Sequence, residues 1–211
     1  MKAVFLDLDG RLMDSNPGIE LSLRHAFRSA GHENHAERDL TWMIGPPFQD
    51  SFQKLGIADP QPILDAYRVH YQDSGMYVAE VYAGVFDMLA ALTGAGRRLY
   101  IATAKPHAYA RQITAHFGLA GHMQAEFGPE LDGTRGWKGD LLAHALDVTG
   151  EDAESSVMIG DRHHDVSAGR EVGMATLAVT WGYGSPEEWS GATGIVDHPM
   201  EIPEAVVGLG G

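Results

Sequence analysis

The chain has 211 residues, 44% of them hydrophobic, with 29 acidic against 15 basic side chains and no cysteine. That length holds one large domain or a domain with a smaller insert, and the apolar content can fill an ordinary core. Without cysteine there is no disulfide framework, thiolate-held zinc or cysteine nucleophile, and a formal charge of -14 argues against a nucleic-acid polymer or an anionic membrane as partner.

Ala3-Val4-Phe5-Leu6 is a continuous apolar run, which predicts a short strand buried on both faces. Ser15-Asn16-Pro17 reads as a helix start, a polar cap followed by proline in the first turn. Ile19, Leu23, Ala26, Phe27 and Ala30 then recur at helical spacing until Gly31. Two more helices are predicted over 48–55 and 63–71, set apart by Gly45-Pro46-Pro47 and Asp59-Pro60. No strand is predicted between 16 and 81, and Trp42, Phe48 and Phe52 read as inward packing of this helical block.

After Tyr82 the rhythm changes. Val85, Met88, Leu89 and Leu92 form a helical face, followed by a strand over 98–103 and a helix over 108–117. Ala125-Glu126-Phe127 is a short strand candidate; helix 138–146, strand 156–159, helix 165–172 and strand 175–180 follow. This alternation predicts an α/β, Rossmann-like parallel sheet with helices on both faces. The helical block at 16–81 reads as an insertion, leaving 1–15 and 82–211 as the α/β domain. The glycine-rich end over 208–211 is expected to fray. No secretory signal or membrane span is recognisable, so the cytoplasm is the default expectation.

In open parallel sheets, ligands sit beyond the carboxyl ends of the strands. Asp7, Asp9 and Gly10 follow the first apolar run, Thr103 and Lys105 follow Tyr100-Ile101-Ala102, and Gly160, Asp161 and Asp165 follow Val157-Met158-Ile159. Lys138 opens the helix between the second and third sets. Each fragment alone is an ordinary turn or helix cap, and only the conjunction carries weight. Four carboxylates gathered there repel, by about 4 kcal/mol per pair at ~4 Å and an effective dielectric near 20, so a cation among them is expected. Their oxygens suit a hard ion, and Mg²⁺ held by Asp7, Asp9, Asp161 and Asp165 is the natural choice.

Such a centre beside Lys138 and a threonine hydroxyl would handle a phosphoryl group. Asp7, at the strand tip, is placed to attack phosphorus, and Asp9 to protonate the leaving oxygen and later deprotonate water. Gly10 permits the sharp turn between them. Thr103 and Lys138 are expected to bind the transferring oxygens. His163-His164-Asp165 invites a histidine–aspartate metal hydrolase, but that class needs several helical histidines and this pair follows a strand.

At these residues the sequence resembles the haloacid-dehalogenase superfamily, in its Mg²⁺-dependent phosphatases with a helical cap after the first motif. Asp7-Leu8-Asp9-Gly10 matches motif one, Thr103 motif two, Lys138 motif three, and Gly160-Asp161 with Asp165 motif four. Ile44-Gly45-Pro46-Pro47, Thr103-Ala104-Lys105-Pro106, Leu131-Asp132-Gly133-Thr134-Arg135, Gly160-Asp161-Arg162-His163-His164-Asp165 and Trp181-Gly182-Tyr183-Gly184 point to the phosphoglycolate-phosphatase-like branch, which includes 5′-nucleotidase-like members. The resemblance implies a phosphatase acting on a small phosphorylated metabolite through an aspartyl-phosphate; a monomer or homodimer is the expected state. Aspartate at position 9 favours phosphate esters over carbon–halogen bonds, because displacing halide needs no proton donor. Substrate contacts are expected from Gly10, Arg11, Pro47, Phe48, Gln49, Ala104, Lys105 and Arg162.

One position departs from the family pattern. Threonine normally stands two residues after the second motif-one aspartate, and here that place is Arg11. Three outcomes are open: Arg11 swings away, supplies a cation for a second anionic group on the substrate, or plugs the site. Reduced but real activity is the expectation. The alternatives are a 5′-nucleotidase, a phosphosugar mutase, and a catalytically impaired binding or regulatory protein on the same fold.

Overall fold

The computed structural model describes residues 1–44 and 48–210. The chain divides into two units, one comprising Met1–Asp14 with Val81–Gly211 and the other Ser15–Glu80.

In chain order, β1 (Ala3–Leu6) and the two-residue β2 (Met13–Asp14) precede four helices, α1 (Asn16–Ser29), α2 (Glu33–Ala36), α3 (Phe48–Lys54) and α4 (Gln61–Asp73). After β3 (Glu80–Val81) come α5 (Val85–Gly94), β4 (Arg98–Ala102), α6 (His107–His116), β5 (Ala125–Phe127) and α7 (Lys138–Thr149). Then follow β6 (Ser156–Gly160), α8 (His163–Glu171), β7 (Ala175–Val179), β8 (Gly194–Val196) and α9 (Ile202–Gly208). The expected α/β alternation is present, and every neighbouring strand pair of the six-stranded sheet is parallel.

Six strands lie in the order β5-β4-β1-β6-β7-β8. β1 is central, pairing Val4 with Leu99 of β4 on one side and with Val157 of β6 on the other. Side chains alternate across a strand. Ala3 and Phe5 therefore share one face with Tyr100, Ala102 and Met158, against Leu141, Leu142 and Ala145 of α7. Phe5 stacks on Tyr100 with ring centroids 4.9 Å apart. Strand order reverses between β1 and β6, and the crevice at such a reversal is where parallel sheets place ligands.

The helical unit has its own core. Leu23, Ala26 and Phe27 of α1 meet Phe52 of α3 and Ile63 and Leu64 of α4, with Phe27 edge-on to Phe52 at 6.1 Å. Phe52 is buried as expected, but Trp42 is 40% exposed, with Lys54 Nζ 5.9 Å from its ring centre. Trp42 lies in a short 3-10 turn, where the inward spacing of a longer helix does not apply.

Two other expectations need correction. β3 places a short strand at Glu80–Val81, within the stretch 16–81 where none was predicted. The chain is helical through Gly208, and Leu209 and Gly210 donate their N–H groups to Ala205 O and Val207 O at 3.1 and 3.0 Å, so residues 208–210 are hydrogen-bonded rather than frayed, while Gly211 lies outside the described residues. Among the described residues no helix is long and apolar enough to cross a membrane.

Candidate active site

Asp7 directly follows β1, and its N–H still donates to Ile159 O, 3.1 Å away, so the residue sits rigidly at the strand tip. The chain then turns at Gly10, whose φ of +78° falls in the left-handed region that disfavours any side chain. A Cβ there would also lie 2.9 Å from Asp161 Oδ2. Thr103 follows β4 and donates its N–H to Phe127 O at 3.0 Å. Asp161 follows β6, Asp165 lies in the first turn of α8, and Lys138 is the first residue of α7. Three strand ends and two helix starts thus deliver the expected polar groups.

They meet. Lys138 Nζ lies 3.1 Å from Asp7 Oδ2 and 2.9 Å from Asp165 Oδ1, and the Thr103 side chain hydrogen-bonds Asp7. Lys105 Nζ lies 3.2 Å from Asp9 Oδ2. Asp9 Oδ1 is buried with no hydrogen-bond partner among the described residues, which leaves one carboxylate oxygen for a proton. Asp161 Oδ2 accepts from the backbone N–H groups of Tyr183 and, at 3.0 Å, Gly184. Its backbone carbonyl accepts from Trp189 Nε1 at 2.7 Å.

Arg11 occupies the middle of this cluster and is only 3% exposed. Nη1 donates to Asp161 Oδ1 and to the backbone carbonyl of Asp9. Nη2 donates to Asp7 Oδ2 and, at 2.6 Å, to Asp165 Oδ2. Of the three outcomes open from sequence, the first is excluded: the side chain is turned into the acid cluster and does not swing away.

The electrostatics follow. Burial alone would raise the Asp7 pKa, but the Arg11 and Lys138 charges outweigh it and hold the carboxyl well below its usual range. Burial would lower the Arg11 pKa, and Asp165, Asp7 and Asp161 together overcome this and push it up. Asp161 moves the opposite way from Asp7, although both pair with Arg11. Its burial dominates and raises it, with the Asp165 and Asp7 charges adding repulsion against the Arg11 attraction.

The acid oxygens have the chemistry of a Mg²⁺ site, and Asp7 and Asp165 with His164 form a group that could hold an ion, but as folded the Arg11 guanidinium takes the oxygens that the sequence assigned to it. The carboxylate oxygens of Asp7, Asp161 and Asp165 and the Asp9 carbonyl all accept from the Arg11 guanidinium, which spans the space between them. Three side-chain cations, Arg11, Lys138 and Lys105, stand among the four carboxylates and offset part of their repulsion.

Other expected contacts divide. Ala104 is exposed in the loop beside Thr103. Arg162, expected at the substrate, has its Nε 2.8 Å from Glu188 Oε2. Phe48 and Gln49 belong to the helical unit, where the Phe48 ring stands edge-on to Tyr67 at 4.9 Å. Pro47 lies outside the described residues. Sequence reasoning set aside His164, yet one of its ring nitrogens and an oxygen from each of Asp7 and Asp165 all lie within 4.8 Å of one another. Burial lowers the His164 pKa, against the pull of Asp165. Its place beside Asp165 was the available signal. Tyr183 was also missed as a support: its hydroxyl donates to Asp14 Oδ1 at 2.8 Å.

A parallel sheet whose first strand leads into a buried aspartate, flanked by threonine, lysine and acidic loops, is the framework of a phosphoryl-transfer hydrolase. Residues 4–179 match the haloacid dehalogenase-like hydrolase family, and the chain belongs to it. It is 38% identical over 188 residues to the 5′-nucleotidase of Pseudomonas aeruginosa, covering 88% of this chain and 85% of that protein. It is 39% identical over 210 residues to the tyrosine-protein kinase PtkA of Mycobacterium tuberculosis, covering 98% of this chain and 72% of that one. Among solved structures, the haloacid dehalogenase-like family hydrolase SP0104 of Streptococcus pneumoniae superposes with a TM-score of 0.88 at 27% identity, over 97% of this chain and 98% of that one.

Proposed function

We propose that this enzyme is a phosphoric monoester hydrolase that acts on a small phosphorylated metabolite through an aspartyl-phosphate on Asp7. The observation that carries the reading is the surroundings of Asp7: a buried carboxylate held ionised by the Arg11 guanidinium, by Lys138 with its Nζ at 3.1 Å, and by the Thr103 hydroxyl, with Asp9 two residues on.

In the first step a carboxylate oxygen of Asp7 attacks phosphorus, the ester P–O bond breaks, and the Asp9 carboxyl gives its proton to the leaving oxygen. In the second, Asp9 takes a proton from water, the resulting hydroxide attacks phosphorus, and the Asp7–phosphorus bond breaks. Inorganic phosphate leaves, Asp7 is again a carboxylate and Asp9 again an acid. Lys138 and Thr103 hold the transferring oxygens, and Lys138 offsets the repulsion between an anionic nucleophile and an anionic substrate. Phosphatases of this family generally use Mg²⁺. Because Arg11 holds the oxygens that would bind it, every step above uses the chain's own groups.

The relative named 5′-nucleotidase supports a nucleoside monophosphate as substrate; phosphoglycolate is the smaller candidate. The inserted helical unit is read as the cap that selects between them. The likeness to PtkA supports a second reading, in which a tyrosine hydroxyl replaces water as the acceptor. A screen of phosphomonoesters for phosphate release, in Mg²⁺ and in chelator, tests the assignment. Release abolished in Asp7→Asn supports hydrolysis, whereas no release with phosphate appearing on a tyrosine peptide supports transfer.

A further inference from the structure

We infer that Arg11 is a tethered cation in the place a divalent ion would take, so that this phosphoryl-transfer centre is assembled without metal and excludes it. The inference rests on reading the acid cluster as that centre, and deepens it.

Three observations converge. The guanidinium makes four donor contacts, to carboxylate oxygens of Asp7, Asp161 and Asp165 and to the Asp9 carbonyl, which together are the hard oxygens a Mg²⁺ would need. All three carboxylates are buried, and so is Arg11, so no water layer separates the charges. The charge balance also changes: without Arg11, four carboxylates would face only Lys138 and Lys105, a deficit that one divalent ion neutralises. With Arg11 in place a single negative charge is left over, and a dication entering beside the guanidinium meets repulsion instead of a vacant site.

The side chain is also held from its backbone end. Trp181 Nε1 donates to the Arg11 carbonyl at 3.1 Å, fixing the loop from which the guanidinium projects. Arginine is suited to this role because its planar fork donates to several carboxylates at once and stays charged when buried. Such a centre gains constant occupancy by its cation, and gives up an ion's ability to exchange ligands during transfer.

The test is Mn²⁺ uptake, read by loss of the free-ion paramagnetic resonance signal with no substrate present, for the wild type and Arg11→Thr. Arg11→Thr is expected to bind one Mn²⁺ at least roughly 100-fold more tightly than the wild type, because a buried like charge is removed and four oxygens are released. Its melting temperature should fall in chelator and recover with Mg²⁺, while that of the wild type is the same in both. Wild-type binding within about tenfold of the variant's affinity overturns the inference. If Arg11→Thr does not fold, the wild type decides alone: no saturable uptake supports the inference, and a tight site lost in Asp161→Asn contradicts it. Because no substrate is present, this outcome is independent of whether the enzyme releases phosphate.

Discussion

Arg11 Nη2 lies 2.6 Å from Asp165 Oδ2, so the loop after the first strand is tied to the start of a helix 154 residues later. Both groups are buried. Removing one partner of such a pair strands the other in a poorly solvated place. Arg11→Ala in chelator is therefore expected to lower stability by about 3–5 kcal/mol, measured by urea unfolding. A change within about 0.5 kcal/mol, typical of exposed sites, contradicts the buried geometry.

Gly184 lies against Asp161. A Cβ at position 184 would collide with the Asp161 backbone carbonyl, while the Gly184 N–H holds the Asp161 side chain at 3.0 Å. Gly184→Ala is expected to cost about 1–3 kcal/mol and to displace that carboxylate. Thermal unfolding and phosphate release should fall together, and a stable variant with wild-type turnover speaks against this support.

Phe5 occupies the middle strand, fully buried and stacked on Tyr100. Phe5→Ala leaves a cavity under the strand that carries Asp7, at a cost of about 3–5 kcal/mol. Equilibrium unfolding measures it, and a loss below about 1 kcal/mol contradicts the packing.

Glu188 predicts a pH dependence. Burial would raise its pKa, but hydrogen bonds from Arg162 and His163 prevail and lower it from 4.5 to about 2. The sign is that of a depressed acid: its contribution is fully present above about 4.5 and is lost as pH falls toward about 2. The gap in urea midpoint between wild type and Glu188→Gln should be widest near neutrality and close near the lower value. A gap that grows on acidification contradicts the pairing.

Much of the sheet was readable because β1, residues 99–102 of β4 and residues 157–159 of β6 are apolar runs followed closely by Asp7, Thr103 and Asp161. A strand buried on both faces leaves that mark. β8 leaves none: it has three residues, and Ile195 is 57% exposed. Position 11 could be seen as unusual, but not where its side chain goes. That direction depends on Asp161 and Asp165, about 150 residues away, and spacing near Arg11 does not encode it. The need for cations was legible from carboxylate repulsion, while the place of Arg11 among them was not. Trp42 shows the same limit, since a helical pattern does not reveal a local 3-10 turn.

The central claim is that Asp7 carries the phosphoryl group. Rapid acid quench of the enzyme with a phosphorus-labelled substrate, followed by peptide mapping, tests it most directly. The account predicts an acid-stable, base-labile label on the peptide containing Asp7, absent in Asp7→Asn and forming as fast as the first turnover. Phosphate release at full rate with no label on that peptide, or undiminished release by Asp7→Asn, would contradict it.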